Sequence, residues 1–399
     1  MIKRHLGQRL KTAATRYPVV TVTGPRQSGK TTLVRAVLDD YRYVSIEDPD
    51  TRAYALQDPR GFLARFESGV ILDEVQRTPN LFSYIQGIVD AHDRPGQFIL
   101  TGSQNFLLME KITQSLAGRC AVLHLLPFSR SELLGWDIAD LNEIEKPRRA
   151  HNASGQPDLF DMLRTGFYPR IHDKKLSPQD WLANYYQTYV ERDVRQLLNI
   201  GDVETFGRFI RLCAGRCGQL LNMASLGADC GVSTTTVKRW LSILETSFVI
   251  YLLRPHHKNF NKRLVKSPKL YFLDTGLLCY LLGVRSSQDL RLHAARGCVF
   301  ESWVLSEVLK NFFNCGEQPR VNFWRDSAGH EIDLLIDRTR DILPLEAKSG
   351  QTFSDDFTKP LRYWRSLTRQ PQCPAAVVYG GDESYTREDF SVISWKDFC

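Results

Sequence analysis

The spacing of apolar positions opens the chain with a helical stripe. Ile2, Leu6, Leu10 and Ala13 or Ala14 recur at helical intervals in the basic, acid-free segment MIKRHLGQRLKTAATRY. This predicts a first helix docked on the domain behind it rather than a transit peptide. A β-branched run, PVVTVT, follows; it breaks at Gly24 and gives way to TTLVRAVL, which has a helical period. Two more short apolar runs, GVILD and QFILTG, end in polar residues, as buried parallel strands do where they open onto a ligand crevice. Residues 137–160 are polar and irregular and read as an exposed linker. GFYPRI and NYYQTYVERDVRQLL then predict a turn and a helix packing back on the first domain, with Arg170, Arg192 and Arg195 available to monitor a ligand or to form interdomain salt bridges. MASLGADCGVSTTTVKRWL predicts two helices joined at Gly231, with Ser233 as N-cap, and the next apolar runs predict two strands around a polar loop. The C-terminal part predicts a helix, RGCVFESWVLSEVLK, and two strands, HEIDLLID and LPLEAKSG.

At 399 residues the chain exceeds the size at which one core keeps growing, so several domains are expected. The pattern divides it at residues 1–136, 137–205, 206–285 and 286–399. A hydrophobic content of 43% excludes a disordered chain. The nine cysteines are scattered without a CxxC, which argues against structural zinc and for a reduced, cytoplasmic home. No apolar run approaches the roughly 20 residues needed to span a bilayer. Charge is unevenly placed: residues 206–272 hold 11 basic and two acidic residues, while the whole chain carries +7, so the remainder is slightly negative. A basic segment of domain size on a neutral frame points to a polyanion, most often nucleic acid, with a solvated basic face as the alternative.

Between the first strand and its helix lies GPRQSGKT, residues 24–31, which satisfies G-x-x-x-x-G-K-[ST] in the strand–helix context of a phosphate cradle. Gly24 and Gly29 let the backbone curl so that N–H groups and the helix N-terminus face phosphate oxygens. The expected nucleotide-binding set is Gly24, Pro25, Arg26, Gln27, Ser28, Gly29, Lys30, Thr31 and Thr32, with Lys30 reaching the β and γ phosphates and Thr31 ligating Mg²⁺. GVILDEVQ ends in two carboxylates. Asp73 would hold the magnesium through water and Glu74 would polarise the attacking water; a single carboxylate there reads equally as a helix cap, but two favour chemistry. QFILTGSQN puts Thr101, Ser103 and Asn105 at a strand's polar end, where Ser103 is the candidate γ-phosphate sensor.

The motifs GPRQSGKTTL, LDEVQ, LTGSQ and SLAGRC resemble those of the AAA+ ATPases, and more closely a prokaryotic branch that carries a C-terminal domain of unknown function. The resemblance spans most of the chain, implies ATP as cofactor, and is silent on biological role. It also implies that Arg119 is an arginine finger completing a neighbour's site in a homo-oligomer; a local ion pair is the competing reading.

Gly227, Gly231 and Val237 match helix-turn-helix spacing, and the second helix would present Thr234, Thr235, Lys238 and Arg239 outward. The polar loop between the next two strands holds Lys258, Lys262, Arg263 and Lys266, as a wing with cations for DNA phosphates would. In the C-terminal part, Glu301 on a helix, Asp333 on a strand and Glu346 and Lys348 on one face of the next strand resemble the PD-(D/E)XK nucleases, and Glu301 that of Holliday-junction resolvases. The resemblance implies Mg²⁺ on Glu301, Asp333 and Glu346, with Lys348 orienting water or stabilising the phosphorane. The proline usual before the first acid is missing, and Glu331 competes with Asp333 for its role. The expected fold class is α/β: a P-loop AAA+ domain with a parallel sheet, a winged helix, and a restriction-endonuclease-like domain. The expected function is a Mg-ATP-dependent ATPase acting on branched or broken DNA, against the alternative of a nucleotide-switched regulator or scaffold without cleavage.

Overall fold

The computed structural model describes residues 2–66, 69–102, 114–148, 157–191, 203–256, 265–338, 340–369, 373–388 and 390–399. Strands β1 (Val19–Thr23), β2 (Arg42–Ser45), β3 (Val70–Asp73), β4 (Phe98–Gly102) and β5 (Cys120–His124) form an all-parallel sheet in the order β2-β3-β4-β1-β5. Its central strands are buried throughout because both faces are covered. Val20, Val22, Ile71 and Ile99 meet the helices Leu6–Ala14 and Lys30–Val37 on one side. Val19, Leu72 and Leu100 meet Pro59–Ala64 and Leu81–His92 on the other. The N-terminal apolar stripe is thus a docked helix, with Leu6 and Leu10 fully buried.

Beyond this sheet, the helices Leu159–Thr165, Pro169–Lys174, Pro178–Tyr185, Val203–Gly215 and Thr275–Leu281 pack together. Gly166 and Gly276 make one of these contacts possible. A Cβ on Gly166 would stand 2.9 Å from the Gly276 Cα, so the two backbones touch only without side chains. A π-helical turn, Tyr186–Glu191, follows the third helix where the sequence predicts a longer continuous one; Arg192 and Arg195 lie outside the described residues.

The predicted pair of helices is Met223–Cys230 and Thr234–Thr246, joined through Gly231 in the left-handed conformation. Ser233 caps the second helix, its hydroxyl accepting from the Thr236 N–H at 3.2 Å. Val237, Trp240, Leu241 and Leu244 form its buried stripe. An antiparallel hairpin of β6 (Ile250–Leu253) and β7 (Lys269–Phe272) follows.

The C-terminal part is a six-stranded mixed sheet of β8 (Val321–Arg325), β9 (Glu331–Asp337), β10 (Ile342–Lys348), β11 (Ala376–Tyr379), β12 (Tyr385–Arg387) and β13 (Phe390–Ser394), in the order β12-β13-β11-β10-β9-β8. The helix Arg296–Asn314 covers one face and Lys359–Thr368 the other.

Two expectations change. Of the stretch read as an exposed linker, residues 137–148 are docked: Leu141 and Ile144 are buried, Arg338 pairs with Glu145 at 2.7 Å, and the Arg148 N–H donates to the Asp397 carbonyl at 2.9 Å, while residues 149–156 lie outside the described residues. Its few apolar residues are enough to anchor a polar segment against the C-terminal sheet. The hairpin expected as a wing is held at one end. The Phe323 N–H donates to the Arg254 carbonyl at 3.1 Å and the His256 N–H to the Phe323 carbonyl at 2.7 Å, so the chain leaving β6 pairs with β8 and protects that edge. Lys258, Lys262 and Arg263 lie outside the described residues.

Glycine positions give a test of packing with opposite signs. A Cβ on Gly227 would lie 2.7 Å from the Val232 carbonyl oxygen, so Gly227→Ala should destabilise by about 1–3 kcal/mol. Gly87 sits inside a helix with nothing within 4 Å of its would-be Cβ, so Gly87→Ala should stabilise by up to about 1 kcal/mol. Urea midpoints of the two variants check this; shifts of the same sign contradict it.

Candidate functional site

The phosphate cradle is built where β1 ends against the start of the helix Lys30–Val37. Its backbone takes conformations that side chains disfavour: φ is 154° at Gly24, 64° at Gln27 and 91° at Gly29. A Cβ on Gly24 would overlap the Leu125 carbonyl oxygen, so this turn requires glycine. Lys30 is buried, and its ammonium donates to the carbonyls of Gly24 at 3.1 Å and Pro25 at 2.8 Å. Burial lowers its pKa to about 8, against the opposing pull of Glu74 and Asp73.

Asp73 ends β3 and is the hub of the site. Its Oδ2 accepts from Thr31 Oγ1 at 2.9 Å and from the Tyr43 hydroxyl at 2.8 Å, and its Oδ1 accepts from Thr101. Burial and the bond to Asp73 push the Tyr43 hydroxyl up to about 12, so it stays a donor. Glu74 follows in a left-handed conformation, with its carboxylate accepting from Gln76 Nε2. Thr31 and Asp73 are the adjacent oxygens that a magnesium ion would take, directly and through water. A cleft of 1120 Å³ runs from this cradle to the helical unit, lined by Lys30, Thr31, Thr32 and Glu74 on one side and by Pro169 and Arg170 on the other. Its lining suits a triphosphate, since Arg26, Gln27, Gly29 and Arg170 all border it.

Two contributors are not in the sequence motif. Tyr43 comes from β2, and Arg4, which also lines the cleft, braces the cradle. The Arg4 guanidinium donates to the carbonyls of Ser28 and Leu126, each at 2.7 Å, and to Glu132 Oε1 at 3.0 Å. Neither has a spacing signal, since each acts across more than twenty residues of chain. Ser103 lies outside the described residues. Arg119 does not join this site: it flanks Val19 at the opposite end of the sheet from the cradle and pairs with Asp90.

Residues 16–134 match the AAA domain family, residues 156–288 the Domain of unknown function (DUF8612), and residues 296–398 the Domain of unknown function (DUF4143). The protein is an ATPase. Over 388 residues it is 29% identical to the uncharacterized protein Rv2008c of Mycobacterium tuberculosis and to the uncharacterized protein Mb2031c of Mycobacterium bovis, covering 97% of this chain and 82% of each relative. Among solved structures, the Walker-type ATPase of Pyrococcus abyssi is similar at 16% identity over 70% of this chain and 96% of that one, with a TM-score of 0.41. The RuvB Holliday junction branch migration motor of Thermotoga maritima is similar at 19% identity over 62% and 87%, with a TM-score of 0.28. The AAA domain match and the geometry of the cradle carry the assignment.

The ATPase carries a second charged cluster in its C-terminal sheet. Lys348 Nζ lies 2.9 Å from Asp333 Oδ2 and 2.6 Å from Glu346 Oε2, as the shared strand face predicts. Glu301 enters from its helix but is held by Tyr271 and by Lys269, which also pairs with Glu331 at 2.5 Å. Burial and the nearby Asp333 raise Glu301 to about 7, and burial raises Glu346; burial would raise Asp333 too, but Lys348 and Lys269 hold it low. The metal set expected here is not assembled: among the described residues no three His, Cys, Asp or Glu side chains form a group that could hold a metal ion. Two ammonium groups, one delivered by β7, are already paired with the four carboxylates.

Two outcomes follow for the ATP site. Lys30→Ala should weaken ATP binding on the order of 100-fold, whereas Glu74→Gln should keep binding and lose turnover by about 10²–10⁴-fold, as filter binding and phosphate release would show. The lowered Lys30 pKa has a signed consequence. Between about 8 and its ordinary 10.5 the unfolded chain holds a proton that the folded site has lost, so this group adds stability as pH rises through that window. Phosphate oxygens reverse the shift, so ATP binding above pH 8 should take up about one proton, measured by calorimetry in buffers of different ionisation enthalpy. Proton uptake that persists in Lys30→Met contradicts the assignment.

Proposed function

We propose that this is a Mg-ATP-dependent ATPase that engages DNA, branched or broken DNA in particular, through a winged-helix unit, and that its nuclease-like C-terminal domain grips the same substrate. The observation that carries the reading is the second helix of the pair. Thr234, Thr235, Lys238 and Arg239 are all exposed on it, while its apolar stripe is buried, so the side facing solvent combines hydroxyl donors with cations. Lys266 is exposed at the far end of the hairpin, and the sole acid between Lys238 and Lys269 is Glu245, which faces Arg254. Magnesium would sit on Thr31 and Asp73.

In a homo-oligomer Arg119 would exchange Asp90 for a neighbour's γ phosphate, since its ion pair is exposed and cheap to break. All nine cysteines are free thiols, which fits the reducing cytoplasm, and among the described residues no helix is long and apolar enough to cross a membrane.

A second reading concerns cleavage alone. Lys269 between Glu301 and Glu331, and Lys348 between Asp333 and Glu346, favour a domain that holds DNA or assembles the complex without cutting it.

Fluorescence anisotropy with a four-way junction at several salt concentrations tests the DNA reading. Lys238→Ala with Arg239→Ala should weaken binding across sequences and flatten the salt slope by about 2; unchanged affinity and slope would assign the basic face to solvation. The same junction with Mg²⁺ or Mn²⁺ decides on cleavage. Binding without nicking is expected from the lysine-filled cluster, and nicking that disappears in Asp333→Ala and Glu346→Ala would instead establish a nuclease.

A further inference from the structure

The helical unit contains a second cavity, of 280 Å³, apart from the ATP cleft and from the acid cluster. It lies where the helices Leu159–Thr165, Pro178–Tyr185, Val203–Gly215 and Thr275–Leu281 converge. Three arginines from separate parts of the chain line it: Arg164, Arg211 and Arg285, accompanied by Gln179. No Asp or Glu among the described residues lines it. Among the described residues none of the three guanidinium groups is in an ion pair. Arg211 lies over the Tyr186 ring at 6.0 Å, and the nearby Asp289 carboxylate is committed to the backbone N–H groups of Arg285 and Ser286. Arg164 Nε is buried without an acceptor.

This arrangement is costly as it stands. Like charges converge on one space, and a buried N–H of a charged group lacks the bond that proteins almost always supply. An anion in the cavity resolves both costs. Guanidinium forks match the tetrahedral oxygens of phosphate in paired hydrogen bonds, and Gln179 adds a neutral donor. The volume holds a phosphate with an attached nucleoside and excludes a duplex.

We infer that the Arg164–Arg211–Arg285 cavity is a binding site for a phosphomonoester. Its phosphate arrives either on a free small molecule or on the 5′ end of a DNA strand. The site stands on its own geometry, and failure of the DNA reading leaves the small-molecule source intact.

The test uses full-length Lys30→Ala protein, so that the ATP cradle does not report. Inorganic phosphate, a 5′-phosphorylated single-stranded oligonucleotide and its unphosphorylated twin are titrated in turn, by calorimetry and by thermal shift. At least one phosphate-bearing probe should bind. Arg164→Gln, Arg211→Gln and Arg285→Gln should each weaken that binding by about 10-fold or more. Arg211 and Arg285 are exposed, so their variants keep the fold and preserve the test if Arg164→Gln does not. Preference for the phosphorylated oligonucleotide over its twin assigns a DNA end; binding of inorganic phosphate without that preference assigns a free small molecule. Absence of binding by both phosphate-bearing probes, or binding unchanged in both Arg211→Gln and Arg285→Gln, overturns the site.

Discussion

Glu132 is sealed from water, and its charge ties the nucleotide cradle to the rest of the chain. Burial alone would raise its pKa, but Arg4 and the backbone N–H groups of Ser129 and His5 hold it below the usual carboxylate range. Arg4 spends its remaining donors on the carbonyls of Ser28, within the cradle, and Leu126, just past β5. Removing either partner of such a pair strands a buried charge at a cost of about 3–5 kcal/mol. The tie continues two residues away, where the Arg130 N–H donates to Glu307 at 2.8 Å and Glu307 pairs with Lys310 at the same distance. Glu307 and Lys310 sit on the Arg296–Asn314 helix, which also carries Glu301. Lys310 also lies over the Phe167 ring, 4.0 Å from its centre, so all three stretches that match separate families share buried contacts, and a close-packed interior transmits a displacement of one to the others.

Much of the nucleotide site was legible in the sequence because its demands are local. A glycine that must turn, a lysine one helix start later and two acids after a buried strand all leave fixed spacings. Tyr43 and Arg4 leave none, since each reaches its partner through the fold. The Asp73 hub was half visible: Thr31 and Thr101 stand on recognisable motifs, while the third hydroxyl comes from an unremarkable strand. In the middle of the chain, the cap at Ser233 and the turn at Gly231 announced the paired helices. The docking of residues 137–148 did not announce itself, because Leu141 and Ile144 are two apolar side chains in a polar run. The pairing of the hairpin with β8 was also illegible, as it depends on backbone groups that every sequence possesses.

The C-terminal cluster shows the same division. The order of Glu301, Asp333, Glu346 and Lys348 could be read directly, and Lys348 does reach both strand carboxylates. Lys269 belongs to a hairpin in a different stretch of the chain, yet it supplies the cation that Glu301 and Glu331 share. One lysine from outside the motif changes the chemistry from an acidic pocket ready for a cation to a network in which each carboxylate already has an ammonium partner. The Arg164–Arg211–Arg285 cavity is its electrostatic opposite, with cations gathered and, among the described residues, no carboxylate lining the space.

These features describe an ATPase whose nucleotide cleft is walled on one side by a helical unit that presents a basic face. If that face engages DNA, then ligand on it and nucleotide in the cleft act on one packed body. The most direct measurement is steady-state ATP turnover by the purified full-length protein with and without four-way junction DNA at low salt. The junction should change the turnover rate several-fold, and raising the salt concentration should remove the effect. A turnover rate indifferent to DNA at low salt, with the nucleotide site fully active, would contradict that coupling.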